Sequence, residues 1–159
     1  MTSPRRQLLQ VFSLALGSSL FQGTGLAAES NSDDKEKVSG IGGFFFRAHD
    51  PKALAHWYQE HLGIALIPTS QDQQPWTQEA GPTAFSPFNE KTKYFGEDLS
   101  KVWMLNFRVR HLDRMVKQLQ ASGIEVKVDP QTYPNGRFGR LYDPEGNPIE
   151  LWEDSERRP

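Results

Sequence analysis

The chain has 159 residues, 36% of them hydrophobic and 24% charged. That is the size and balance of one globular domain, not of a disordered chain, a collagen-like repeat or a coiled coil. The absence of cysteine excludes a disulfide framework, a thiolate metal site and a cysteine nucleophile, and the net charge of −2 disfavours broad nucleic-acid binding.

Residues 1–28 read as an export signal. Arg5 and Arg6 are the only charges, and an apolar run from Leu8 to Phe21 follows. The run is short for a bilayer span, which takes roughly 20 apolar residues. It ends in small residues, Gly23 to Ala28, that suit signal peptidase. Ser3 to Gln10 resembles the twin-arginine export motif, with Pro4 and Gln10 departing from it. An ordinary secretory signal and an uncleaved anchor are the alternatives. Cleavage near Ala28 takes two of the 18 basic residues and no acidic one, leaving a net −4. The expected location is then the periplasm or the cell exterior, with no membrane association after cleavage. Residues 29–39 should form a flexible tether, since Glu29 to Lys37 contains no apolar residue.

The remainder, residues 40–154, divides into two halves of similar pattern, about 40–98 and 101–154. Gly42 to Ala48 is short and aromatic, so it reads as a strand. Asp50-Pro51 is a helix start, Leu54, Trp57, Tyr58 and Leu62 recur at helical spacing, and Gly63 is a stop. Further strands are expected at 64–67, 76–79 and 83–88, in a stretch made loop-rich by prolines 68, 75, 82 and 87. The second half repeats the order. Trp103 to Val109 is a strand, His111-Leu112-Asp113 opens a helix that Gly123 ends, and strands follow at 124–128, 137–142 and 148–153. Asp143 to Asn147 joins the last two as a turn. A shift of 61 residues lays Phe46, Arg47, Ala48 and Leu54 on Phe107, Arg108, Val109 and Met115.

This order resembles the vicinal oxygen chelate superfamily, which holds glyoxalase I, the bleomycin-resistance proteins and the extradiol dioxygenases. Three stretches carry the resemblance: Asp50 to Gly63, Asn106 to Val109 with its helix, and Asp143 to Trp152. It implies an α+β fold of two βαβββ modules, paired half-barrels around a shared cleft. It also implies a divalent metal held by His, Gln or Glu on the first and last strands of each half. The corresponding first-strand positions here are Gly43 and Met104, and the first half's last-strand position falls at Phe85 or Ser86. Glycine has no donor atom, and a thioether is a poor ligand for a hard cation. Glu150 alone matches a ligand position, so no metal or other cofactor is expected. A divalent metal, with Glu150 as one ligand, is the alternative.

Strand alternation then sorts the cleft. With Phe46, Ala48, Phe107 and Val109 toward the helices, the residues facing the cleft are Gly43, Phe45, Arg47, Met104, Asn106 and Arg108, joined by Glu150 and Trp152. An apolar pocket with a few convergent polar groups is a usual ligand site. Arg47, Arg108 and Asn106 are candidates for holding an anionic or vicinally oxygenated molecule, with Phe45, Met104 and Trp152 as its apolar lining. Glu150 is the candidate general base. The competing reading pairs an arginine with Glu150 in a structural network. Arg137, between the glycines of Pro134 to Gly139, is a candidate gate beside the cleft, and Ser86 to Gly96 a candidate lid. The four histidines, at 49, 56, 61 and 111, lack metal-site spacing and are expected at the surface. Trp57 and Tyr58 are expected in the core. The function these residues support is small-molecule binding, and whether the protein is an enzyme stays open. The alternatives are a metal-dependent lyase, isomerase or dioxygenase, and a non-catalytic interaction module. A homodimer is compatible with the resemblance.

Overall fold

A computed structural model describes residues 36–70 and 72–157. The export-signal reading of residues 1–28 lies outside them. Among the described residues no helix is long and apolar enough to cross a membrane. The described residues up to Phe45 belong to one unit and those from Phe46 onward to another. The fold below is that of the second.

The first helix, α1, is Pro51–Leu62. It starts where the chain offers a cap: the Asp50 carboxylate accepts the Ala53 N–H at 3.0 Å, and Pro51 opens the helix with its fixed φ. It stops at Gly63, whose φ of 69° is left-handed, while the N–H groups of Gly63 and Ile64 return to the carbonyls of Gln59 and Tyr58. Leu54 and Tyr58, one turn apart, are its buried stripe.

The second half builds the sheet. Strand β1 is Leu105–Arg108, α2 is Leu112–Ala121, β2 is Lys127–Val128, β3 is Gly136–Tyr142 and β4 is Pro148–Asp154, with a 3-10 turn at Ser155–Arg157. The strand order is β1-β4-β3-β2, with β1 parallel to β4 and the other pairs antiparallel. Leu112, Val116 and Leu119 recur every third or fourth residue on α2, and all are buried. They pack on Leu141, Ile149 and Leu151 of the sheet, together with Leu54, Tyr58 and Val126. Each fully buried leucine or isoleucine here contributes about 1.5–3 kcal/mol of transfer free energy. Gly139 lets α2 close on β3, since a Cβ there would meet Leu112 and Val126 at 3.3 and 3.4 Å.

The second half is thus a βαβββ unit, with its third element shortened to two residues. Among the described residues the expected two-module arrangement is not repeated in the first half, where α1 is the only regular element. Phe46 and Ala48 pack against the core as expected, but residues 42–48 form no strand. Neither do 64–67, 76–79 or 83–88. A strand requires a partner ladder. Prolines 68, 75, 82 and 87 remove N–H donors at or beside each of those three segments.

A hydrogen-bonded turn ties α1 to the sheet. Asp143, 4% exposed, accepts the N–H groups of Glu145 and Asn147 on one oxygen, and the Tyr58 hydroxyl and Asn147 amide on the other. Burial and the neighbouring Asp143 carboxylate push the Tyr58 hydroxyl far above its ordinary pKa. Glu145 accepts the N–H groups of His49 and Asp50, both at 2.9 Å, which holds its carboxyl below the usual range. The Arg137 guanidinium does the same for Asp113. Both groups therefore bind fewer protons folded than unfolded near pH 4. Stability from them is present above that pH and is lost as pH falls through their folded values. Glu145→Gln should flatten the acid limb of a Tm-against-pH profile, leaving the neutral plateau less affected. An unchanged acid limb would mean that the His49 and Asp50 bonds are not held in solution.

Candidate functional site

The register of β1, β4 and β3 places six side chains in two rows on the sheet face opposite the helices. In the first row Asn106 pairs with Glu150, and Glu150 with Arg140. In the second, Arg108 pairs with Trp152, and Trp152 with Phe138. Ile149 and Leu151 lie behind, as alternation requires.

Glu150 is 3% exposed, and a carboxylate that deep needs donors. Tyr94 supplies its hydroxyl at 2.9 and 3.2 Å to the two oxygens. The Asn106 amide donates at 2.9 Å, and Arg140 makes the ion pair at 3.2 Å. Arg140 also donates to the Tyr94 carbonyl and lies 4.6 Å over the Tyr94 ring centroid. In the second row Trp152 and Phe138 are parallel at 6.3 Å, and the Trp152 indole N–H donates to the Asn135 carbonyl at 2.7 Å. Arg108 donates through Nη2 to the Glu79 carbonyl at 2.7 Å. Its Nη1 is buried with no hydrogen-bond partner, as is Nε of Arg140.

The expected cleft residues divide. Asn106, Arg108, Glu150 and Trp152 come together on one face. Met104 is half-buried just before β1. Arg47 is exposed, and among the described residues no ion pair joins it to Glu150. Phe45 is 85% exposed and lies in the unit before Phe46. Arg137 faces α2 on the other side of the sheet. Its fork grips Asp113 at 2.7 and 3.0 Å and reaches Glu153 at 3.4 Å. Two of the histidines depart from the surface expectation. His61 packs on Trp57 at 5.3 Å and His111 is half-buried before α2, whereas His49 and His56 are exposed. Tyr58 is in the core as expected, with Trp57 against it.

Sequence reasoning missed Arg140 as the partner of Glu150, and Tyr94. Arg140 was within reach: the turn Asp143 to Asn147 sets Tyr142 opposite Pro148, and counting back two residues sets Arg140 opposite Glu150. Tyr94 falls in the segment expected as a lid, but nothing local marks its target.

The donor set does not fit a hard divalent metal. Gly43 offers no atom, Met104 offers a thioether, and Glu150 is engaged by an arginine, an amide and a phenol. Among the described residues no three His, Asp or Glu side chains gather as a ligand group.

Residues 43–152 match the glyoxalase-like domain family. The chain belongs to that family. It is therefore a member of the vicinal oxygen chelate superfamily that its sequence resembles. Among solved structures, this glyoxalase-like chain is similar to an antibiotic-binding protein from Streptomyces sp. CB03234. The identity is 21%, over 76% of this chain and all of that one, with a TM-score of 0.50. It is also similar to a fosfomycin resistance protein from Listeria monocytogenes, at 15% identity over 76% and 95% of the two chains and a TM-score of 0.48. A putative glyoxalase family protein from Bacillus anthracis aligns at 21% identity over 65% and 84%, with a TM-score of 0.41. No curated protein matches the chain.

Proposed function

We propose that the sheet face opposite the helices binds a small anionic or vicinally oxygenated molecule without the superfamily's metal, in an exported protein. The observation that carries this reading is Arg108. One of its guanidinium nitrogens is buried with no hydrogen-bond partner, beside Trp152 and one row from Glu150. A buried donor without a partner costs about 1–3 kcal/mol, which an arriving oxyanion recovers through a charge-assisted bond. Half-buried Trp152, backed by the parallel ring of buried Phe138, offers apolar surface beside it. Binding rather than turnover suits Glu150, which Tyr94, Asn106 and Arg140 engage. Export rests on the order of Arg5-Arg6, apolar run and small residues, and places the protein in the periplasm or outside the cell.

The test is a thermal-shift comparison of the protein with its Arg108→Met variant, using benzoate, phthalate and phenylphosphonate. A ligand at about 100 times its Kd stabilises by about 2.7 kcal/mol, a rise of roughly 10 °C in a chain this size. At least one probe should raise Tm in the parent and fail to do so in a variant with unchanged circular dichroism. Equal shifts in both, or none in either, would reject the anion site.

A further inference from the structure

The sheet face opposite the helices already holds an aromatic side chain, and it belongs to the protein. Tyr94 reaches the sheet from an irregular segment, and its ring stacks on Phe88 of that same segment at 5.1 Å and 11°. Three features meet it from the sheet. Its hydroxyl donates to both oxygens of Glu150. The Arg140 guanidinium lies over the ring, and the same guanidinium takes the Tyr94 carbonyl. Glu150 is an acceptor only, so it requires an O–H or N–H at that point. Arg140 requires an electron-rich ring beneath it and a carbonyl-type oxygen beside it. Its Nε, buried and without a partner, has capacity for one more acceptor atom.

We propose that Tyr94 is the resident occupant of the ligand site, and that the ligand is a para-hydroxyphenyl compound carrying a carboxylate or carbonyl on a short chain, which displaces it. The inference rests on the reading that this sheet face binds a small anion, seats the ligand on the Asn106–Glu150–Arg140 row next to that of Arg108, and names its class. Tyrosine itself contains this pattern: a phenol at one end, and a carbonyl beyond the β and α carbons at the other. A free carboxylate outdoes the Tyr94 carbonyl, because its bond to Arg140 is charged on both sides and it has a second oxygen for Nε. The segment carrying Tyr94 is suited to leaving. It has no ladder hydrogen bonds, and Asn89, Glu90, Lys91 and Lys93 along it are exposed. Asn106, Arg140 and Glu150 belong to strands and stay in place.

The probe is 3-(4-hydroxyphenyl)propanoate, with 3-phenylpropanoate as the control lacking the hydroxyl. Both are titrated by calorimetry into the full protein and into its Tyr94→Ala and Tyr94→Phe variants. The parent should bind the hydroxylated probe at least about tenfold more tightly than the control, since loss of the hydroxyl leaves Glu150 short of a donor. Tyr94→Ala should bind it at least about tenfold more tightly than the parent does, because the resident ring no longer competes. If Tyr94→Ala does not fold, Tyr94→Phe serves. It keeps the ring, loses the bond to Glu150, and should also gain affinity. Equal affinity for the two probes would overturn the proposal, as would an unchanged affinity in the variants. Should benzoate or phthalate bind through Arg108 while both propanoates fail, the displacement model falls and the anion site stands. Failure of every probe would remove both.

Discussion

Asp143→Ala should destabilise the protein by about 3–5 kcal/mol, because several buried donors lose their acceptor at once, each at about 1–3 kcal/mol. The carboxylate gathers four donors within 2.9 Å: two backbone N–H groups, the Asn147 amide and the Tyr58 hydroxyl. Alanine leaves all four without their acceptor, and the Tyr58 hydroxyl and Asn147 are buried. Water cannot enter freely to replace it. Tyr58→Phe removes only one of the four donors and should cost about 1 kcal/mol. The double variant should therefore fall short of the sum of the two, because the shared bond is lost only once. Chemical denaturation of the four proteins measures this. Additive losses would mean that Tyr58 and Asp143 do not meet in solution.

The same bond decides where the damage appears. Tyr58 belongs to α1, and Asp143 to the turn between β3 and β4. With the tie gone, α1 should open before the sheet does. Hydrogen exchange should then show α1 amides exchanging at a lower free energy than those of β3 and β4.

How far the sequence disclosed this molecule varies by element. The helices were legible because each carries local punctuation: Asp50-Pro51 and Gly63 around α1, and Gly123 with a φ of 77° after α2. Strands β3 and β4 were legible because the turn at Asp143 to Asn147 is chemically explicit and fixes their register. The first half misled for the opposite reason. Residues 64–67 and 83–88 have strand-like composition, but composition does not supply a partner ladder. Within the site, parity along β1 and β4 brought Asn106, Arg108, Glu150 and Trp152 to one face. The glycines at 136 and 139, not parity, made Arg137 the conspicuous arginine of β3. Parity across the hairpin reverses that choice: Arg137 opposes Glu153 on the helix side, and Arg140 opposes Glu150. Tyr94 lies 56 residues from Glu150, and no period of the chain links them.

Gly136→Ala should be as damaging as the loss of Asp143, and through sterics alone. Gly136 opens β3 with a φ of 129°, a region that side chains rarely adopt. A Cβ there would collide with the Glu153 carbonyl oxygen and sit 2.9 Å from the Trp152 indole nitrogen. The oxygen belongs to the backbone of β4, so relief requires moving a ladder strand rather than rotating a side chain. We expect a cost of about 3–5 kcal/mol, a fall in Tm of roughly 10–20 °C. Gly63 provides the control. Its φ of 69° is also left-handed, but nothing lies within 4 Å of its Cβ position. Gly63→Ala should therefore cost only the backbone term, about 1–2 kcal/mol. Movement of the turn also shifts the Asn135 carbonyl that takes the Trp152 indole. Near-ultraviolet circular dichroism should accordingly change in Gly136→Ala and stay constant in Gly63→Ala. Equal costs for the two variants would show that the turn relaxes around a methyl group, and that the contact with β4 is not what requires glycine.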